Sequence, residues 1–202
     1  MKTKKFDLIG LVDADIVFMR PHIPLSSLFE RWGAFTNETH IVAAAVDPKR
    51  HPDTRYTYKS QKLDMINTGL MFWKTSDRAQ TLVDYWSTCL EKGDAVCLDT
   101  AFRFYQDQSG FNKVIRVDRM LPNELVIIPC DDANGYSSEN GGTSGCNGKI
   151  ISHFWNRKEE FPAFSTVMSK ISAELRYLAQ RGVARSVVHT HGADATFLTP
   201  DP

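Results

Sequence analysis

No stretch of this chain is apolar for long enough to cross a bilayer. The longest clearly apolar runs, such as Ile41 to Val46, fall far short of the roughly 18 residues a spanning helix needs. A secretory leader is not expected from the opening residues either. The start is basic, but Phe6 to Val12 is interrupted by Asp7 and runs straight into Asp13. Neither sign of charge is in excess: 24 Lys plus Arg stand against 24 Asp plus Glu, which argues against a general nucleic-acid binder. No CxxC pair occurs among Cys89, Cys97, Cys130 and Cys146, so a structural zinc site is disfavoured. Cys130 and Cys146 bracket a loop rich in Gly and Ser. A disulfide there would suit an oxidising compartment, and four thiols fit the sequence equally well. Internal repeats and a second domain are not evident.

What is present is enough for one folded domain: 202 residues, 42% of them hydrophobic. Phe6 to Val12 reads as a buried strand ending in acidic residues, and Ile41 to Val46 as a second, closed by Asp47-Pro48. Met65 to Trp73, Leu125 to Ile128 and Ile150 to Phe154 are further strands. Leu25 to Trp32 predicts a short helix with Ser26 or Ser27 near its start. Ser76 to Glu91 predicts the best helix: Ser76 can cap it, and Ala79, Leu82, Val83, Trp86 and Leu90 share one face. Leu98 to Tyr105 and Phe164 to Gln180 are further helices, while residues 47–62 and 131–149 read as loops. Short apolar strands alternating with helices predict an α/β fold with a mostly parallel sheet flanked by helices. Ligands in such folds bind beyond the carboxyl ends of the strands, where Asp13 and Asp15 fall.

The pair Asp13 and Asp15, in Leu11-Val12-Asp13-Ala14-Asp15-Ile16-Val17-Phe18, carries the sharpest chemical signal. Two carboxylates this close repel, and apolar flanks make burying them costly unless a cation neutralises them. Mg²⁺ or Mn²⁺ suits such oxygen ligands, although an isolated pair also fits a solvated turn. Asn67-Thr68-Gly69 opens a strand with small polar groups, which also fits a turn or bulge; Asp107-Gln108 follows a helix and also fits a solvated helix end. His153 lies in an apolar strand, where a satisfied core histidine competes with a third metal ligand. His189 and His191 read as tail residues rather than ligands.

Taken in order, these motifs resemble the glycosyltransferases of the GT-A fold. The likeness is greatest to the retaining galactosyl-, mannosyl- and xylosyltransferases of fungal mannan and plant xyloglucan synthesis. It is carried by the DxD, hydrophobic stretch and prolines of Asp13 to Pro24, and by the N-[ST]-G, apolar strand and Trp-bearing helix of Asn67 to Trp86. It continues in Asp107-Gln108-Ser109 and in an HFxGxK-like element at His153 to Lys158, where Asn156 stands in place of the family's Gly. It spans about residues 6 to 160.

The resemblance implies roles by position. Asp15 would bind metal, Mn²⁺ or Mg²⁺, directly; Asp13 would bind metal or the ribose; His153 would be the third ligand. Lys158 would meet phosphate, with Thr68 and Gly69 also on the nucleotide-sugar side, and Asn67, Asp107 and Gln108 would face the sugar and the reacting carbon. The donor would be a UDP- or GDP-sugar and the acceptor a glycan or glycoconjugate. Residues 1–180 would form the catalytic domain and residues 181–202 a poorly ordered tail. The family builds its base pocket from units before the DxD. Only twelve residues precede Asp13, so that nucleotide-binding part is expected to be largely absent. The implied location is the Golgi lumen if the natural N-terminus carries an anchor, and otherwise the cytoplasm. Two other readings compete. One is a catalytically degenerate or truncated remnant acting as a binding protein. The other is a metal-dependent phosphoryl-transfer enzyme, which the residues after Asp15 fit poorly.

Overall fold

The computed structural model describes residues 6–47, 55–58, 61–101, 106–135, 145–154, 168–169, 171–173 and 175–177. Its elements, in chain order, begin with β1 (Leu8–Val12), β2 (Ile16–Phe18), α1 (Leu25–Arg31), β3 (Val42–Val46), β4 (Arg55–Tyr58), β5 (Gln61–Asp64) and β6 (Ile66–Lys74). They continue with α2 (Asp77–Thr88), α3 (Ala95–Ala101), α4 (Gln106–Gly110), a π-helical segment (Phe111–Val117), β7 (Leu125–Ile128), β8 (Ala133–Gly135) and β9 (Ile151–His153).

β6 organises the main sheet, whose order is β1-β6-β3-β7. Side chains alternate faces along a strand, and the core follows that alternation. Val42, Ala44, Met71 and Trp73 face a cluster with Ala79 and Leu82 of α2 and with Phe111, Val114 and Ile115. Ala43, Ala45, Leu70 and Phe72 face the other way, toward Leu28 of α1, Ile128, Ala133 and Ile151. Both faces of the central strands are therefore covered, which explains why β3 and β6 read as continuous apolar runs. Phe29 of α1 meets Phe72 edge-on at 5.0 Å, and Trp86 of α2 meets Phe111 at 5.4 Å. A smaller sheet, β2-β9-β8, and a hairpin, β4-β5, complete the pairing among the described residues.

The α/β class predicted from the sequence is correct, but the predominance of parallel pairing is not. Among the described residues only β3–β7 and β8–β9 are parallel; β1–β6, β3–β6, β2–β9 and β4–β5 are antiparallel. A continuous apolar run shows that a strand is buried on both faces and says nothing of its direction. A parallel neighbour also needs a crossover, usually helical, and β3 reaches β6 through the β4-β5 hairpin instead.

Other expectations need correction. Among the described residues β1 pairs with β6 alone, at the edge of the sheet, and Leu11 and Val12 are 46% and 43% exposed rather than buried. The expected loop at 47–62 contains β4 and the start of β5, and the expected loop at 131–149 contains β8. Ser76 does cap α2, accepting the Ala79 N–H at 3.1 Å, but the helix ends at Thr88 and leaves Leu90 exposed. The helix expected from Leu98 begins earlier, at Ala95, because Asp94 accepts the Val96 and Cys97 N–H groups. α1 starts after Pro24 with no side-chain cap. The helix expected at 164–180 is described only in part, and its described residues are helical. The segment 181–202 lies outside the described residues. All four cysteines are bonded, Cys89 to Cys97 and Cys130 to Cys146. No helix among the described residues is long and apolar enough to cross a membrane.

Candidate metal and donor site

One end of the main sheet gathers the polar motifs. β1 arrives there at its carboxyl end with Asp13, and β3 with Asp47. β6 runs antiparallel to both, so its amino-terminal half, Asn67-Thr68-Gly69, lies at the same end. The local cause is a bulge. Ala44 pairs with Met71 and Val46 with Ile66, so residues 67–70 of β6 have Ala45 alone opposite them. Extra residues on one strand bend it and re-aim its side chains, a device common beside active sites.

The Asp13 N–H donates to the Gly69 carbonyl at 2.8 Å and extends the β1–β6 ladder by one bond. The chain then turns, with the Ile16 N–H donating to the Asp13 carbonyl. β2 follows at once and pairs antiparallel with β9, Ile16 opposite His153. The Phe154 N–H donates to the Asp15 carbonyl at 3.0 Å. This turn and strand pair bring His153 beside the two carboxylates from the far end of the sequence. Its Nε2 lies 3.2 Å from Asp15 Oδ1 and 3.7 Å from Asp13 Oδ2.

Asp13, Asp15 and His153 offer ligand atoms that all lie within 4.8 Å of one another, as a divalent ion requires. The His153 side chain is 4% exposed, Asp15 24% and Asp13 56%, so the cluster is anchored in the core and opens to solvent on the Asp13 side. Burial holds the Asp13 carboxyl above its ordinary value; His153 opposes that shift, while Asp15 and Asp107 reinforce it. A cation here would offset the burial of that charge and relieve the smaller repulsion from Asp15 and Asp107. Gly69 underlies the cluster: a Cβ there would lie 2.5 Å from Asp13 Oδ2 and 2.6 Å from His153 Cε1.

The other predicted residues line the neighbouring wall. The Thr68 hydroxyl donates to Asp107 Oδ2 at 2.7 Å. Asn67 accepts the Gly69 N–H on Oδ1 and donates from Nδ2 to Asp47 Oδ1 at 3.0 Å. Gln108 is buried and donates from Nε2 to Asp47 Oδ2 at 2.6 Å. Lys158 lies outside the described residues.

Three residues of this site were missed in the sequence. Asp47 accepts from Asn67, Gln108 and Asn134, and so joins three segments of the chain. A signal was available, since Asp47 closes β3 as Asp13 follows β1. Asn134 falls in a stretch that reads as a polar loop with no distinguishing pattern, yet on β8 it is fully buried, has φ 94° and touches His153. Asn112 hydrogen-bonds both the N–H and the carbonyl of Ile66, and donates to the Gln108 carbonyl. It thereby pins the helical layer bearing Gln108 onto β6. Its π-helical setting is a frequent mark of functional sites.

Comparison with known proteins agrees with this arrangement. A structural match is a glycosyltransferase involved in the glycosylation of the major capsid of PBCV-1. Its TM-score is 0.53 at 12% identity, over 83% of this chain and 69% of that one, which speaks for the fold. No curated protein matches the sequence significantly. The family model for nucleotide-diphospho-sugar transferases matches residues 9–140, the span that carries Asp13, Asp15, Asn67, Asp107 and Gln108. The chain belongs to the nucleotide-diphospho-sugar transferase family.

Proposed function

We propose that the protein is a metal-dependent glycosyltransferase that moves a hexose or pentose from a UDP- or GDP-sugar to a glycan or glycoconjugate acceptor. The observation that carries this reading is the convergence of Asp13, Asp15 and His153 at the same sheet end as Asn67, Thr68, Asp107 and Gln108. Asp15 and His153, the more buried ligands, would hold Mn²⁺ or Mg²⁺, and the exposed Asp13 would complete the set or meet the ribose. When bound, the cation would supply Lewis-acid stabilisation to the departing nucleoside diphosphate.

The chain's own residues would then orient the donor. Gly69 lets the backbone approach closely, and Lys158 would add a phosphate-facing charge. Asp107 is exposed, steadied by Thr68, and would face the sugar. Gln108, committed to Asp47 through its amide nitrogen, would shape the floor beneath the reacting carbon. Retention of anomeric configuration through front-side attack is the reaction course that the resemblance implies. The two disulfides support an oxidising compartment such as the Golgi lumen.

The test is binding and hydrolysis of UDP- and GDP-sugars with and without Mn²⁺, compared with Asp15→Ala. Mn²⁺-dependent turnover abolished by the substitution is expected. Binding that ignores both metal and substitution would rule out the metal assignment. Binding without turnover would favour a degenerate, sugar-nucleotide-binding remnant.

A further inference from the structure

His153 can serve a cation through Nε2 only if its other nitrogen, Nδ1, carries the proton. The hydrogen bonds on the Nδ1 side of the ring favour that arrangement, against the pull of Asp15 Oδ1 at 3.2 Å from Nε2. His153 Nδ1 lies 2.8 Å from Asn134 Oδ1. Whether that oxygen could be exchanged for the amide nitrogen depends on what holds the other end of Asn134. There, Nδ2 donates to the Val46 carbonyl at 3.1 Å and to Asp47 Oδ1 at 3.0 Å. A carbonyl and a carboxylate are both acceptors, so a flipped Asn134 would set its oxygen against two others. Asp47 is held in turn by Asn67 and Gln108, each donating an amide N–H to it.

We propose that Asp47 and Asn134 are positioning residues that keep the His153 proton on Nδ1 and so present Nε2, as an acceptor, toward Asp13 and Asp15. This rests on the metal reading above and adds residues to it: Asp47 closes β3, Asn134 lies on β8, and neither would touch the cation. The left-handed backbone of Asn134, at φ 94°, fits the same role, because Asn tolerates that conformation while placing an amide at this point.

The experiment uses the full chain labelled with ¹⁵N-histidine. Imidazole nitrogen spectra are recorded at a pH high enough to leave the ring neutral, without metal and with Mg²⁺, and Mn²⁺ affinity is measured by calorimetry. Two variants are compared with wild type. Asn134→Gly removes the amide without straining the positive φ. Asp47→Asn keeps the size but removes the carboxylate that, with the Val46 carbonyl, holds the Asn134 amide in this orientation. Wild type is expected to carry its proton on Nδ1. Both variants are expected to move it toward Nε2 and to weaken Mn²⁺ binding by about 10- to 100-fold.

A wild-type imidazole protonated on Nε2, or a tautomer unchanged in both variants, overturns the proposal. A tautomer that shifts while Mn²⁺ affinity does not would overturn its link to the cation. Failure of the metal reading looks different: wild type would then bind no Mn²⁺, while the tautomer would still respond to both variants and support the positioning role.

Discussion

Gly69 is wedged between two proposed metal ligands, and the space around it leads to a direct prediction. A methyl group there would overlap Asp13 Oδ2 and His153 Cε1. Gly69→Ala is expected to destabilise the fold by about 1–3 kcal/mol, the usual cost of overpacking. It should also lower Mn²⁺ affinity at least tenfold, since the ligands must separate. Thermal melting and calorimetric titration check both, and an unchanged Mn²⁺ affinity would show that the three ligands do not act together. Asp13 offers the opposite trade. Partial burial and the neighbouring Asp15 and Asp107 disfavour its charge. Asp13→Asn should therefore raise the Tm of the metal-free protein slightly while weakening Mn²⁺ binding, because charges gathered for a ligand are commonly a cost to the fold. A lower Tm would mean that His153 outweighs the two carboxylates. At this scale the sequence was informative. Asp13, Asp15 and His153 were legible as residue types whose chemistry is costly without a partner, whereas Asn134 is one amide among several in a polar loop.

The contact between the π-helical segment and β6 depends on one buried side chain. Asn112 satisfies Ile66 at both its N–H and its carbonyl and also reaches the Gln108 carbonyl. Asn112→Leu keeps the bulk but leaves the Ile66 backbone groups unpaired in the core. A loss of about 2–4 kcal/mol is expected in urea unfolding. A loss under about 0.5 kcal/mol would show that water or a neighbour replaces the amide. The Cys89–Cys97 bond acts on α2 and α3, closing a short loop at the junction of the two helices. Replacing both cysteines with Ala is expected to cost about 2 kcal/mol, or roughly 4–8 °C in Tm. A melt that ignores the double substitution would exclude the bond from the native fold. Elements that pack through periodic apolar residues, such as α2 and β6, were visible in the sequence. The β4-β5 hairpin was not, because its residues read as polar and without a period, and neither were β8 and the π-helical segment, whose stability comes from partners elsewhere in the chain.

Across the whole molecule, three carboxylates tie separate elements together and set how the fold responds to acid. The Tyr85 hydroxyl is the chief group holding Asp94 below the ordinary carboxylate value. Burial raises Glu124, but the bidentate Arg78 guanidinium and the Leu121 N–H outweigh it and leave its pKa lowered. Asp132 is lowered mainly by Arg31, with Trp32 adding a third bond from α1. A lowered folded pKa means that the unfolded chain binds more protons across that window. The stabilisation is therefore fully present above the ordinary values of 3.8 for Asp and 4.5 for Glu, and is lost as pH falls below them. Tm is expected to hold near pH 6 and to drop below about pH 4. Asp132→Asn should lower the neutral-pH Tm and flatten that drop. An acid limb of the melting profile unchanged by the substitution would place the pH dependence elsewhere.

The amino-acid sequence by itself determined the residues with chemistry to offer and the local elements that carry them, because charge, capping and apolar period are properties of neighbouring residues. The tertiary structure decided which of those residues meet. His153 reaches Asp15 through the β2–β9 pair, and Asn134 reaches Asp47 across 87 positions. Strand direction and the bulge in β6 aim them at one point. These choices are settled by pairing between distant segments, whose hydrogen bonds and registers leave no periodic trace in the chain that makes them.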